Sequence, residues 1–260
     1  MLGFRKPAAP PSGLVDIHSH ILPCVDDGAK SLSDALAMLR LAATGGVGLQ
    51  VLTPHIGRRY PNRKKDLEER FDAFRSESQA AGIDIELRLS AEVSIGSEIV
   101  ELVEQDAIPW LGELRGQRTF LLELPNSLVP SGSINLVAWL RRHDLLPIIV
   151  HPERNRAFQE SPDNLKQFTD IGCPVQITAG SLLGRFGRPA KLAAREMLKG
   201  GAVTVIASDC HNQGKRRPDL ADGMRAATRL IGELEARSLV TQNPTALLGG
   251  HSPDLTIVKE

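Results

Sequence analysis

Short apolar runs recur along the chain at residues 14–17, 47–52, 83–89, 120–124, 147–150, 175–177 and 202–207. They are rich in Val, Ile and Leu and are bounded by Gly, Pro or polar residues. Runs of this length without strict alternation read as strands buried on both faces. Helical patterning fills most of the intervals. Residues 33–44 bring Leu36, Leu39 and Leu41 on or near one face, with Ser33 placed to cap the start and Gly45-Gly46 to end the helix. Residues 63–81, 133–143, 163–171, 189–198, 219–235 and 244–248 read as further helices. Repeated alternation of strand and helix predicts an α/β fold of about seven mostly parallel strands with outer helices, closed or distorted into a (β/α) barrel. Residues 14–250 read as a single domain, because no Gly-, Ser- or Pro-rich linker divides them. Residues 1–13, with Pro7, Pro10, Pro11 and Gly13, read as a flexible arm, and residues 251–260 as a tail.

Composition narrows the functional classes. The chain is 42% hydrophobic and 24% charged, which suits a packed core. Lys+Arg and Asp+Glu both number 31, so a generic nucleic-acid binder is disfavoured. Cys24, Cys173 and Cys210 are too few and too scattered for a disulfide framework. No window reaches the roughly 18 apolar residues of a membrane span, and the basic pair near the start is not followed by a signal-like apolar run. The expectation is a cytoplasmic protein without membrane insertion.

The chemistry lies at the ends of the predicted strands, the edge where parallel α/β folds build their sites. In Asp16-Ile17-His18-Ser19-His20, extended backbone puts His18 and His20 on one side and turns Ile17 toward the core. Ser208-Asp209-Cys210-His211 does the same for Asp209 and His211 and points Cys210 away. His55 follows the run 49–53 and His151 follows 147–150. Glu92 ends another run, and Glu123 sits inside an apolar one, where a charge is costly unless it is paired or bound to a cation. A buried arginine partner is the plain alternative for Glu123, and satisfied structural histidines are the plain alternative for each imidazole alone. Taken together, nitrogen and oxygen ligands without thiolate point to one polynuclear site for manganese, iron, zinc or magnesium.

The stretch Val15-Asp16-Ile17-His18-Ser19-His20-Ile21-Leu22-Pro23, continuing to Asp26-Asp27-Gly28-Ala29, resembles the polymerase-and-histidinol-phosphatase (PHP) superfamily. More narrowly, it resembles the bacterial metal-dependent protein-tyrosine phosphatases of capsule and exopolysaccharide operons, the CpsB/CapC/YwqE type. Thr53-Pro54-His55, His151-Pro152-Glu153-Arg154, the segment from Thr178 to Gly187 and Ser208-Asp209-Cys210-His211 recur there in this order. The likeness spans about residues 14 to 250.

Bridging carboxylates make two or three ions feasible, and the resemblance implies a distorted barrel with a trinuclear site, most often manganese. It implies His18, His20, His55, Glu92, Glu123, His151, Asp209 and His211 as ligands, with Arg154 and Arg216 holding the substrate phosphate. The implied reaction is in-line attack of a metal-activated water on phosphotyrosine in a protein, expected to be the tail of a tyrosine kinase that controls capsule or exopolysaccharide synthesis. The family often has a second histidine after Thr-Pro-His, where this chain has Ile56. Asp26 and Asp27 read as a loop turn near a helix cap, with a role in protonating the leaving group or holding a ligand water as the alternative. The basic residues Arg58, Arg59, Arg63, Lys64, Lys65, Lys215, Arg216 and Arg217 read mostly as a solvated face that helps attract an acidic substrate tail. The rival readings are a small-molecule phosphatase of the histidinol-phosphatase kind, an amidohydrolase, a nuclease of the same superfamily, and a non-catalytic phosphotyrosine-binding regulator.

Overall fold

In the computed structural model, which describes residues 13–250, ten strands are present. They are β1 (Leu14–Asp16), β2 (Val47–Leu52), β3 (His55–Ile56), β4 (Glu86–Leu89), β5 (Glu92–Ser94), β6 (Gly112–Leu114), β7 (Gln117–Glu123), β8 (Leu145–Val150), β9 (Val175–Thr178) and β10 (Val205–Ala207). The predicted arm, apart from Gly13, and the predicted tail with His251 lie outside the described residues. One ladder runs β1-β2-β4 and the other β10-β9-β8-β7-β5-β3. All pairings are parallel except that of β6, a short antiparallel strand on β7.

The two ladders belong to one circuit. β2 and β3 are a single extended path interrupted at Thr53-Pro54, where proline has no N–H to give a ladder. β4 and β5 are interrupted opposite it, and Ser90 N still donates to Leu52 O at 2.9 Å. With these two paths taken as broken staves and β6 set aside, the ten strands reduce to seven parallel staves in chain order. The first and last meet at the parallel bridge between Ser19 and Cys210. There His20 N donates to Cys210 O and Asp209 N to His18 O, each at 2.9 Å. The seam is thus joined by the residues expected to bind metal.

Alternation along the staves sorts apolar residues into two cores. In β8, Leu146, Ile148 and Val150 join an inner cluster with Val15, Leu49, Leu121 and Val205. Leu145 and Ile149 join the outer layer against helix residues such as Met38, Val137 and Phe168. Every residue of β8 is buried, which is why its sequence shows no polar face. The helix Gln242–Leu247 closes the end of the ring away from the site, with Thr119 Oγ1 donating to Leu247 O at 2.8 Å.

Several local expectations are corrected. Ser31, not Ser33, caps the first helix (Leu32–Thr44), its hydroxyl accepting from Asp34 N at 3.1 Å. The Ser31 hydroxyl in turn donates to Asp34 Oδ2 at 2.9 Å, and the helix starts one residue earlier than expected. The expected helix 219–235 is two, Leu220–Ile231 and Glu233–Ser238, divided by Gly232 at φ 89°. The helix Glu98–Glu104, the strand β6 and the short turns Pro152–Arg154, Arg156–Glu160 and Ala179–Leu182 were not anticipated. Each is shorter than the window of roughly 11 residues over which periodicity is read. Among the described residues, no helix is long and apolar enough to cross a membrane.

Candidate metal centre

The stave ends deliver all the predicted ligands to one place. Ser19 Oγ donates to Val51 O at 2.8 Å, which fixes the extended segment after β1. The Nε2 atoms of His18 and His20 are then 3.2 Å apart. The β3–β5 register sets His55 opposite Glu92. His151 and Asp209 stand at φ 39° and 50°, in the left-handed region. This conformation is uncommon for non-glycine residues, though Asp and His adopt it more readily than most, and it recurs at functional sites. Here it ends β8 and β10 abruptly and turns both side chains into the ring.

Glu92 is the hub. Its Oε2 lies 3.3 Å from His18 Nε2, 3.2 Å from His20 Nε2 and 3.1 Å from His55 Nδ1. Its Oε1 is 2.6 Å from His151 Nε2. Glu123 Oε2 meets Ser94 Oγ at 3.1 Å and His55 Nδ1 at 3.7 Å. Asp209 divides its two oxygens: Oδ1 faces His18 and His20 at 3.4 Å each, whereas Oδ2 accepts from Arg154 at 2.7 Å and Arg216 at 2.8 Å.

A second row aims the rings. Gln176 Oε1 holds His18 Nδ1 at 2.6 Å, Asp26 Oδ2 holds His20 Nδ1 at 2.7 Å, and Asp209 O holds His211 Nδ1 at 3.1 Å. Acceptors at Nδ1 favour the tautomer that leaves Nε2 free as a ligand. Asp26 also accepts from the backbone N–H of Gly28 and of His55. It is therefore a turn residue, as expected, and a ring anchor as well. Asp27 departs from the turn reading: its Oδ1 lies 3.4 Å from His55 Nε2 and 3.5 Å from His211 Nε2.

The donors fit a group of cations. They form four overlapping sets: His20, Asp27, His55 and His211; His18, His20 and Asp209; His18, Glu92 and His151; and His55, Glu92 and Glu123. The ligand atoms of each set lie within 4.8 Å of one another. Asp27 Oδ1, Asp209 Oδ1 and His211 Nε2 are buried without a hydrogen-bond partner. Such atoms are expensive to bury unless something else satisfies them. Oxygen and imidazole donors at this density suit divalent first-row ions or magnesium.

Electrostatics agree. Burial alone would depress His18 and His20, but Glu92 and Asp209 beside the first, and Asp26 beside the second, hold both above the ordinary histidine value. Burial, reinforced by Arg154, lowers His151 to about 4. Burial and the charge of His20 lower His211 to about 4. Burial would raise Glu92, yet His18, His55 and His151 keep it well below the carboxylate range. Burial would likewise raise Asp209, and Arg154 and Arg216 hold it low. Glu123 is raised, by burial and by the charge of Glu92.

The acidic neighbours that favour the protonated rings of His18 and His20 work against ligation, because a ligating ring must give up its proton. Metal uptake is expected to release protons, and affinity to rise with pH. Calorimetric titration with manganese in buffers of different ionisation enthalpy reads this directly. A buffer-independent heat would show that no proton leaves.

The centre opens into a cleft of about 560 Å³ lined by His55, Glu92, Glu123, His151, Arg154 and Arg216. Arg154 and Arg216 each retain a buried Nε with no partner. The ring of Phe186 lies 4.9 Å from the guanidinium carbon of Arg154 and 5.8 Å from that of Arg216. Arg154 is also set by its neighbour Glu153, fully buried, whose Oε1 accepts from Thr178 N at 3.0 Å and Ser181 Oγ at 2.7 Å. Among the other basic residues, Arg59 lines the cleft. Arg58, Lys64 and Arg217 instead pair with Glu98, Asp106 and Asp222 at the surface. Ile56, in place of the family's second histidine, is 2% exposed within the outer apolar layer. His143 lies apart from the centre, bonded to Trp139 O at 2.8 Å.

Asp27, Gln176, Glu153, Tyr60 and Phe186 were not singled out as site residues. Asp27 is legible only as the alternative to a loop turn in Asp-Asp-Gly, and Glu153 and Phe186 lie inside the recurring motifs without an assigned role.

Comparison with known proteins places this geometry among relatives. A family model described as "Capsular polysaccharide synthesis, CpsB/CapC" matches residues 14–249. The chain is 34% identical over 200 residues to the putative tyrosine-protein phosphatase CapC of Staphylococcus aureus, covering 76% of this chain and 77% of that protein. It is 32% identical over 237 residues to the tyrosine-protein phosphatase YwqE of Bacillus subtilis (strain 168), covering 90% and 91%. A solved structure from work on YwqE of Bacillus subtilis and CpsB of Streptococcus pneumoniae, described as unique metal-dependent tyrosine phosphatases, superposes with a TM-score of 0.85 at 29% identity over 92% of this chain and 95% of that one.

Proposed function

The chain belongs to the CpsB/CapC family of capsular polysaccharide synthesis, and from that membership we propose that it is a metal-dependent protein-tyrosine phosphatase whose centre is the cluster at the stave ends. The observation that carries the reading is Asp209, which faces imidazoles with one oxygen and two arginines with the other. A metal cage and a phosphate clamp thus share one carboxylate. His18, His20, His55, Glu92, Glu123, His151, Asp209 and His211 are assigned as ligands of two or three ions, with manganese favoured and iron, zinc or magnesium also suited. Asp27, facing His55 and His211, joins them.

When bound, the ions supply a water-derived nucleophile at neutral pH and offset charge on the phosphoryl oxygens. The chain does the rest. Arg154 and Arg216 present planar forks to the phosphate oxygens and hold them against the centre. Gln176 and Asp26 keep the rings of His18 and His20 oriented, so that the site is formed before substrate arrives. A tyrosine leaving group, with a free pKa of about 10, departs without a dedicated acid more readily than an alkoxide. None of the cysteines takes part: Cys173 and Cys210 are buried with raised pKa, and Cys24 is exposed with its thiol donating to Lys30 O.

The substrate is read as phosphotyrosine on a protein, the tail of a tyrosine kinase that governs capsular or exopolysaccharide synthesis. Residues 14–250 are read as one catalytic domain, and the protein as cytoplasmic, a reading supported by its unpaired cysteines. The complete ligand set disfavours a non-catalytic regulator.

The test is turnover of a phosphotyrosine peptide by the purified, manganese-loaded chain, beside histidinol phosphate. Hydrolysis of the peptide is expected, lost on exhaustive chelation and restored by manganese. Preference for histidinol phosphate would move the assignment to a small-molecule phosphatase. Arg59 and Arg216 at the cleft predict that kcat/KM on an acidic peptide falls as salt rises.

A further inference from the structure

We propose that Tyr60 and Phe186 form an aromatic slot for the ring of the substrate and so set a preference for aryl over alkyl phosphate esters, an inference that rests on the phosphatase reading above.

The chain is poor in aromatic residues, at 4%, with a single tyrosine. The packed core takes most of the described phenylalanines: Phe71, Phe74, Phe120, Phe158 and Phe168 are all buried. Tyr60 and Phe186 are only half-buried, and both line the cleft of the metal centre. Their positions are built. Tyr60 lies parallel to the His55 ring, with centroids 5.4 Å apart and an interplanar angle of 10°. Gly57 N donates to Tyr60 O at 3.0 Å, and Asn62 Nδ2 donates to His55 O at 2.8 Å, which ties the loop to the ring it stacks on. A side chain at Gly57 would meet Ser94 at 2.9 Å, so the turn needs glycine there. On the other element, a Cβ at Gly180 would come within 3.0 Å of Phe186 Cε2. Glycine at that position makes room for the ring.

Phe186 also lies against the guanidinium groups of both arginines. A phosphate held by Arg154 and Arg216 would have Phe186 close by, and its ester substituent would lead into the cleft that both rings line. In an aryl phosphate the ring begins at the ester oxygen, so it occupies that space as soon as the phosphate is bound. A serine phosphate brings only a methylene there. Aromatic faces favour a planar ring, by stacking or by edge contact, beyond the area buried.

The experiment measures inhibition constants of benzylphosphonate and ethylphosphonate against p-nitrophenyl phosphate turnover. It uses the manganese-loaded protein and its Tyr60→Leu, Phe186→Leu and Tyr60→Phe variants. The wild-type chain is expected to favour benzylphosphonate. Each leucine variant should shrink that ratio by about tenfold, and Tyr60→Phe should restore it, because the ring face and not the hydroxyl makes the slot. Equal weakening of both inhibitors, or an unchanged ratio, would overturn the proposal: the rings would then only support His55 and the arginines. Failure of the wild-type protein to hydrolyse p-nitrophenyl phosphate with manganese would instead remove the phosphatase reading on which the slot depends.

Discussion

Replacing Glu92 with glutamine is expected to lower kcat/KM on a phosphotyrosine peptide by about 10³-fold or more and to strip most of the bound metal. The substitution keeps the shape of the side chain, so the fold should survive and the circular dichroism spectrum should not change. What is lost is a charge at the centre of four imidazoles. Glu92 lies within 3.3 Å of ligand nitrogens on His18, His20, His55 and His151. It also belongs to two of the four candidate ligand sets. An amide offers one neutral oxygen and brings an N–H that faces cations or ring nitrogens unfavourably. The measurements are steady-state kinetics and elemental analysis on the same preparation. Near-normal turnover with full metal content would show that Glu92 is a structural acid and that the centre lies elsewhere.

The second large effect concerns the clamp. Arg154→Ala and Arg216→Ala are each expected to lower kcat/KM by about 10²- to 10³-fold. Both groups act on the same phosphate, so the double variant should lose less than the product of the single losses. The lysine variants separate charge from geometry. Arg154→Lys keeps the positive charge beside Asp209 but not the planar fork, so it should retain metal and still lose about tenfold or more in kcat/KM. A variant that loses metal and activity in proportion would show that the arginine acts only by steadying Asp209. Kinetics on phosphopeptide, with metal content measured in parallel, distinguishes the two.

Much of this site was legible before any coordinates because its chemistry interrupts the apolar pattern. His55, Glu92, His151 and Asp209 end runs of Val, Ile and Leu, and polar groups at those positions have no place in a core. The staves were legible for the same reason, since strands buried on both faces spell continuous apolar runs. What stayed hidden depends on backbone conformation and on distant partners. The left-handed turns at His151 and Asp209 carry no letter of their own. Gln176 sits in a fully buried strand, and only the fold reveals that its side chain orients His18 across the ring. Asp27 was hidden by the Asp-Asp-Gly sequence, which would specify a turn whether or not a metal site lay beside it. The break between β2 and β3 at Thr53-Pro54 was readable as a proline. That the path resumes to pair His55 with Glu92 was not.

The most direct test is metal content and position together: elemental analysis of the freshly purified chain and anomalous diffraction from its manganese-loaded crystals. Two or three ions are expected, each bound by imidazole and carboxylate groups from the stave ends, with Asp209 shared between metal and arginine. A chain that takes up no metal yet hydrolyses phosphotyrosine at full rate, or ions that bind away from His18, Glu92 and His211, would contradict this.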